Sequence, residues 1–315
     1  MMLLVASGGG HLKQLAQLAP RLPDCPEDEQ VWVTFDTPQS RSLLAGRRVV
    51  FVRNTAPRDA FSVAVNAVAA SGLLRKHRIE RVVTTGAGIA LSFIPPARVL
   101  GAQCHYIESA ARCDGPSVTG RLLQLVPDVH LYTQHPCWER DRWQYRGSVF
   151  EGYEPAPQRR PRRKLRIVVS LGTIPFGFRR LLNRLVDILP WEAEILWQTG
   201  ETDVSDLDIH AQRTLPALDL ERALSRADLF IAHSGAGSAL TALEAGVKPI
   251  LVPRRRIYGE HVDDHQEQIA RDLAQRDLAF MREVEELTLD ELLAVAGSRV
   301  ADRADQVPFD LAGGA

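Results

Sequence analysis

The sequence is poor in cysteine, in long apolar runs and in net charge, and each shortage excludes a class of protein. Its 315 residues include 4 cysteines, Cys25, Cys104, Cys113 and Cys137, none spaced as C-x-x-C. A chain of this length needs no disulfide staples, so the thiols read as reduced and cytosolic. The opening MMLLVASGGGH lacks a basic n-region and is broken at once by glycine. It reads as a first buried strand rather than a signal peptide. The most apolar later stretch, ALSFIPPARVLGA, is interrupted by Pro95, Pro96 and Arg98, whereas a membrane span needs about 20 apolar residues. No transmembrane segment is expected. Lys and Arg number 38 against 39 Asp and Glu, for a formal net charge of -1. The basic excess of a nucleic-acid binder is missing, and no nucleic-acid partner is expected.

What is present is an ordinary core-forming composition, 45% hydrophobic and 24% charged, at a length that predicts two domains. Two stretches share one architecture. MLLVASGGGHLKQLAQLA (2–19) and LRIVVSLGTIPFGFRRLLNRLV (165–186) both read as strand, glycine turn and amphipathic helix. Each starts a run of strands alternating with helices, which argues a parallel sheet in each half. Between them EGYEPAPQRRPRRK has no apolar period and is rich in Pro and Arg. The boundaries follow: a first α/β domain over 1–152, a linker over 153–164, a second α/β domain over 165–287, and a C-terminal helix and tail over 288–315.

The densest chemistry lies in ADLFIAHSGAGSALTALEAG (227–246). A buried strand would end at His233, and Ser234, Gly235, Ala236, Gly237 and Ser238 would lead into a helix. In an open parallel sheet, ligands sit at the carboxyl ends of strands. A helix start offers unpaired N–H groups and a favourable dipole to an anion. Two glycines would let a phosphate approach the backbone, and two serines would add hydroxyls. Glu244, about two turns into the helix, could accept from a ribose diol. The same features also make a plain strand-to-helix turn. Other strand ends gather on the same edge: Ser170, Leu171, Gly172 and Thr173 after one strand, and Gln198, Thr199 and Gly200 after another. HVDDHQEQIA (261–270) adds His265 and Gln266. A nucleotide diphosphate suits such an edge. His261, Asp263, Asp264 and His265 could hold a metal, or the acids could cap a helix start. No further ligand completes a shell, so no metal is expected.

The strings VVSLGT, WQTG, ADLFIAHSGAGSALTALEAGVKPILVP and DDHQEQIA resemble the C-terminal half of family-28 glycosyltransferases. These include the transferase that makes peptidoglycan lipid II and the catalytic subunit of the enzyme adding the second GlcNAc to dolichol-linked oligosaccharide. ASGGGHLKQL, VVTTGAG and HYIESAARCDGPSVTGRLL resemble the membrane-recruiting subunit of that second enzyme. The chain is similar to both subunits fused, as in bacterial exopolysaccharide synthesis. The resemblance implies a GT-B fold, α/β, with two Rossmann-like domains whose parallel sheets face each other across a cleft. It implies a UDP-sugar donor, metal-independent inverting transfer, and a polyprenyl-diphosphate-linked acceptor. The eukaryotic recruiting subunit has an N-terminal membrane helix that is not found here. Contact with the cytoplasmic face of the membrane would therefore be peripheral.

The resemblance also implies roles. Glu244 would hold the ribose. Gly235, Ala236, Gly237 and Ser238 would hold the diphosphate, with His233 and Ser234 beside them and Gly172, Thr173 and Gln198 on neighbouring strand ends. Gln266 and His265 would contact the donor sugar, and the uracil would lie near Leu215 to Leu218. An inverting reaction needs a base on the acceptor side, and the candidates are His11 and Glu108. A helix start would keep His11 neutral, as a base requires; alternatively it caps the helix. Glu108 alternatively pairs with Arg112. Gly9, Gly10, Thr85, Gly86 and Arg112 would meet the acceptor.

LSFIPPARVLG could form an exposed apolar patch, with Arg58, Arg75, Lys76, His77 and Arg78 attracting anionic lipid, or a buried helix with a solvated basic end. Trp138, Trp143 and Tyr145 are expected at the domain seam or the acceptor site. Two other readings stand beside the transferase: a UDP-GlcNAc 2-epimerase of the same architecture, and a non-catalytic nucleotide-sugar-binding partner.

Overall fold

The computed structural model describes residues 1–22, 26–55, 59–172, 176–261 and 265–312. The chain divides into two compact units, Met1–Glu151 with Gln306–Ala315, and Gly152–Asp305.

Unit 1 is a seven-stranded sheet. Its strands are β1 (Met2–Val5), β2 (Gln30–Phe35), β3 (Val49–Val52), β4 (Arg81–Thr84), β5 (Gln103–Ile107), β6 (Val129–Thr133) and β7 (Trp143–Tyr145). The order is β3-β2-β1-β4-β5-β6-β7, and every pairing is parallel. The connecting helices are α1 (Gly10–Leu18), α2 (Pro38–Leu43), α3 (Ala60–Lys76), α4 (Ile89–Val99) and α5 (Val118–Leu123). Strands such as MLLV and QVWVTF are buried along their whole length. That is why they are continuous apolar runs rather than alternating ones. Their side chains join Ala70, Leu74, Phe93, Ile94, Trp138 and Trp143 in one core.

Unit 2 repeats the plan. Its strands are β8 (Tyr153–Ala156), β9 (Arg166–Ser170), β10 (Glu194–Gln198), β11 (Ala211–Gln212), β12 (Leu229–His233), β13 (Ile250–Val252), β14 (Phe280–Met281) and β15 (Arg299–Asp302). Six form a parallel sheet in the order β11-β10-β9-β12-β13-β14. The helices are α6 (Arg179–Ile188), α7 (Ala217–Arg226), α8 (Ala236–Glu244), α9 (His265–Gln275) and α10 (Leu289–Val295).

Strand order reverses between β1 and β4 in unit 1, and between β9 and β12 in unit 2. Loops leaving adjacent strands there diverge to opposite faces and open a crevice at the carboxyl edge. Both glycine-rich stretches lie at such a point.

Three expectations are corrected. The linker 153–164 is not wholly irregular, because β8 pairs antiparallel with β15 within unit 2. The tail does not form one piece with α10: residues from Gln306 belong to unit 1, where Phe309 is fully buried, packs edge-on against Tyr132 and donates its N–H to Arg21 O. LSFIPPARVLG is not an exposed patch. Most of it lies in α4, whose Phe93 and Ile94 are buried, and Val99, Leu100 and Gly101 at its end are exposed.

Candidate functional site

In unit 2, β12 carries His233 to the carboxyl edge of the sheet, and α8 starts three residues later. Its N-cap, Gly235, supplies no side-chain hydrogen bond. By contrast, Asp59 caps α3 and Ser117 caps α5 through their side chains. The first N–H groups of α8 therefore await an external acceptor. Gly237 has open space where a side chain would stand. Ser234 is fully buried and its Oγ has no hydrogen-bond partner among the described residues; Gln198, also buried, likewise has an Oε1 with no partner among them. Buried polar atoms are normally satisfied, so these two leave bonding that a water, an ion or a ligand group would complete.

His233 lies between two glycines. A Cβ on Gly172 would stand 2.6 Å from its Cε1, and one on Gly235 would stand 2.5 Å from its Nε2. Its Nδ1 is 3.4 Å from Ser170 O, so Nδ1 carries the hydrogen and Nε2 is an acceptor. Burial, and then the positive charge of Arg254, push its pKa down to about 4. The ring is neutral at pH 7.

Gln266, in the first turn of α9, is buried, and its Oε1 accepts from Arg254 N at 3.2 Å. Glu244 stands apart from this cluster. It is the exposed last residue of α8, about 12 Å along the helix from Ala236 at ~1.5 Å per residue. Its charge acts instead on the phenol of Tyr153, which burial pushes further up. Leu215 to Leu218 lead into α7. Thr173, Asp263 and Asp264 lie outside the described residues, as does the side chain of His265. Among the described residues no group of three or more His, Cys, Asp or Glu could hold a metal ion.

In unit 1, Gly9 is the N-cap of α1 at φ 72 and also makes no side-chain cap. Gly8, Gly9 and Gly10 all face open space. His11 follows in the first turn. Its Nδ1 lies 2.7 Å from Thr85 O, while Thr85 Oγ1 donates back to His11 O at 2.8 Å. This reciprocal pair ties the loops after β1 and β4. The carbonyl can only accept, so Nδ1 bears the hydrogen and Nε2 keeps its lone pair. Burial lowers the pKa of His11, against smaller upward effects of Thr85 and the Glu108 charge. Gly86, at φ 90, uses its N–H on Thr84 Oγ1 and its carbonyl on Ser7 N. The Thr85 and Gly86 groups named here are thus occupied within the chain.

Glu108 is placed as a structural anchor. It is buried, and its carboxylate accepts from Tyr106 Oη at 3.1 Å, Ser109 N at 3.1 Å, Ser117 N at 2.8 Å and Ser117 Oγ at 3.0 Å. These bonds fold the loop 108–117 onto itself. Arg112 contributes its carbonyl to Trp138 Nε1. Trp138 and Trp143 lie in the core of unit 1, 5.2 Å apart, rather than at a seam or acceptor surface.

Sequence reasoning missed three groups. Gln14 and Gln134 are buried and hold the same loop: Gln14 Oε1 accepts from Ala110 N and Gln134 Nε2, and Gln134 Nε2 donates to Glu108 O. Their only signal was a polar residue on a helix's apolar stripe and at a strand end. The third is Arg254, hidden in a basic run that reads as solvated.

Comparison with known proteins follows this geometry. MurG of Acinetobacter baumannii covers 93% of this chain and 89% of its own, with TM-score 0.56 at 21% identity. A putative UDP-N-acetylglucosamine 2-epimerase from Listeria monocytogenes covers 94% and 92%, with TM-score 0.53 at 11% identity. Both likenesses define the fold, GT-B, with two Rossmann-like α/β units of parallel strands. Residues 167–298, within unit 2, match the glycosyltransferase family 28 C-terminal domain. A UDP-N-acetylglucosamine--N-acetylmuramyl-(pentapeptide) pyrophosphoryl-undecaprenol N-acetylglucosamine transferase of Dichelobacter nodosus is 32% identical over 128 residues. The match covers 38% of this chain and 34% of that protein, so the chain spans about a third of the length of this curated relative.

Proposed function

We propose that the chain is an inverting glycosyltransferase that moves a sugar from a UDP-sugar to a polyprenyl-diphosphate-linked acceptor. The observation that carries the reading is the uncapped start of α8 with the orphaned, buried Ser234 Oγ beside it, inside the residues that match a family 28 C-terminal domain. Unit 2 would hold the donor. Backbone N–H groups of Ala236, Gly237 and Ser238 and the hydroxyl of Ser234 would take the diphosphate. As the glycosidic bond breaks, negative charge grows on the departing UDP, and fixed donors at a helix start stabilise it without a metal. Gln266 and His265 are the groups for the donor sugar. GlcNAc is the first choice of sugar, from the printed activity of the Dichelobacter relative. Synthesis of an exopolysaccharide is the setting that best fits the fused arrangement.

Unit 1 would receive the acceptor. His11 is the base: neutral at pH 7, with its Nε2 lone pair free to take the proton of an attacking hydroxyl. Glu108, saturated with hydrogen bonds, holds the loop and does not act as base. Gly9 and Gly10 leave room for the acceptor's phosphates at the start of α1.

Attachment to the inner face of the cytoplasmic membrane would be peripheral, and α3 is its best support. No helix among the described residues is long and apolar enough to cross a membrane. The inner face of α3 mixes polar Ser62 and Asn66 with Ala70 and Leu74, while Phe61 and Val68 are 67% and 77% exposed. Asn66 is held within by Arg53 O and Thr55 Oγ1. The exposed face ends at Arg75 and Lys76, with Arg78 just beyond. An apolar face ending in cations fits an anionic bilayer.

The deciding experiment is calorimetry with UDP, UDP-GlcNAc, UDP-Glc, UDP-Gal, UDP-GlcA and GDP-Man, with and without EDTA, followed by an assay with a polyprenyl-diphosphate sugar. Metal-independent UDP binding and net sugar transfer are expected. An epimerised UDP-sugar without transfer would indicate a 2-epimerase. Absence of uridine-nucleotide binding would leave a non-catalytic recruiting partner.

A further inference from the structure

Arg254 follows β13 and has no solvent exposure. Its guanidinium gathers carbonyls from separate loops at the carboxyl edge of the unit 2 sheet. Nη1 donates to Phe176 O at 2.7 Å, Gly177 O at 3.1 Å and Glu260 O at 3.1 Å, and Nη2 donates to Leu171 O. Leu171 and Phe176 flank the loop that leaves β9, so one side chain clasps both ends of it. The backbone N–H of Arg254 holds Gln266 Oε1, adding the first turn of α9. The aromatic face of Phe178 lies 5.1 Å from the guanidinium carbon.

The clasp has an electrostatic oddity. The hydrogen bonds of the guanidinium go to neutral carbonyls, and Nε has no hydrogen-bond partner among the described residues. Glu260 is buried nearby, but its carboxylate is engaged by Arg180 and by Arg255 N. Among the described residues no carboxylate bonds the guanidinium directly; a buried cation so placed is costly, and an apolar side chain of similar volume would usually be at least as stable. Burial lowers its pKa to about 10, so it remains charged at pH 7. Retaining that charge is explained if an anion arrives beside it. The same charge helps to keep His233 unprotonated.

We infer that Arg254 is a positioning residue for a nucleoside diphosphate: it sets the loops around the β-phosphate and supplies a fixed positive charge behind them. This rests on the donor-site reading above. The charge is felt by the β-phosphate and by the leaving diphosphate, but hardly by the nucleoside.

The test compares UDP with UMP by calorimetry on the intact chain, with thermal melting as a check of folding. Wild type is expected to bind UDP more than about tenfold tighter than UMP. Arg254→Gln should collapse that ratio to about threefold or less while UMP affinity stays within about twofold. Arg254→Lys, which keeps a cation but not the fork, should restore most of the ratio. The inference is overturned if folded Arg254→Gln keeps the wild-type ratio, or if it loses UMP and UDP alike. If Arg254→Gln does not fold, a wild type that binds UMP as tightly as UDP overturns it instead. Wild type binding neither nucleotide would overturn the donor-site reading itself.

Discussion

The imidazole of His233 occupies the space that a side chain on Gly235 would need, with Nε2 only 2.5 Å from the position of that Cβ. Gly172 presses on the ring from the other side and also sits at φ 84, a conformation open to glycine and strained for alanine. Gly172→Ala and Gly235→Ala should therefore displace His233 and weaken UDP binding about tenfold or more. Gly237→Ala meets no neighbour, so its melting temperature should hold or rise, while a phosphate close to the backbone would still feel the added methyl. Calorimetry and melting on all three variants check the contrast. Equal losses of stability would count against a ligand at Gly237.

His11→Ala should reduce kcat/KM about a hundredfold, with UDP affinity changed less than twofold. The pH profile carries a second signature. The base acts only when unprotonated, and burial lowers its pKa. Activity should then stay level as pH falls through 6.5, the usual value for histidine, and decline only below it. An acid limb centred at or above that value would remove His11 from the role.

Glu108→Ala should act on stability. It strands Ser109 N and Ser117 N and leaves Tyr106 Oη and Ser117 Oγ only each other, at 3.2 Å; an unsatisfied buried group costs about 1–3 kcal/mol. Gly120→Ala should resemble it, because the new Cβ would stand 2.5 Å from Glu108 Oε2. A large drop in melting temperature is expected for both. An unchanged melting temperature with abolished turnover would restore Glu108 as the base.

Glu244→Ala should leave UDP affinity within about twofold, since the carboxylate is two helical turns from the uncapped N–H groups. A loss of tenfold or more would bring it back as the ribose partner.

Val68→Glu and Phe61→Glu alter only the exposed face of α3. Both should reduce sedimentation with vesicles containing anionic lipid and leave UDP binding intact. Unchanged sedimentation would move the membrane contact elsewhere.

The alternation of strand and helix was legible because a sheet buried on both faces demands apolar runs such as LFIAH and RIVVS, each ended by a loop and helix. The glycine loops were legible for the same local reason: close approach and uncapped helix starts are written in small residues. The linker was misjudged at β8, since YEPA becomes a strand only when β15, remote in sequence, pairs with it. LSFIPPARVLG has the composition of a patch or of a core helix, and packing chose the core.

By itself, then, the sequence determined the two α/β units and the glycine turns, because these depend on local periodicity and backbone freedom; the likeness to family 28 rests on matching strings instead. Only tertiary structure showed the hydrogen bonds that occupy the Glu108 carboxylate and the Nδ1 of His11, the burial of Ser62 and Asn66 beside Ala70 and Leu74 on α3, and the clasp of Arg254. Those outcomes depend on which groups the fold brings to a side chain. Glu108 is saturated by groups one to nine residues away that the loop 108–117 folds back onto it, whereas Arg254 is buried by carbonyls as far as 83 residues away.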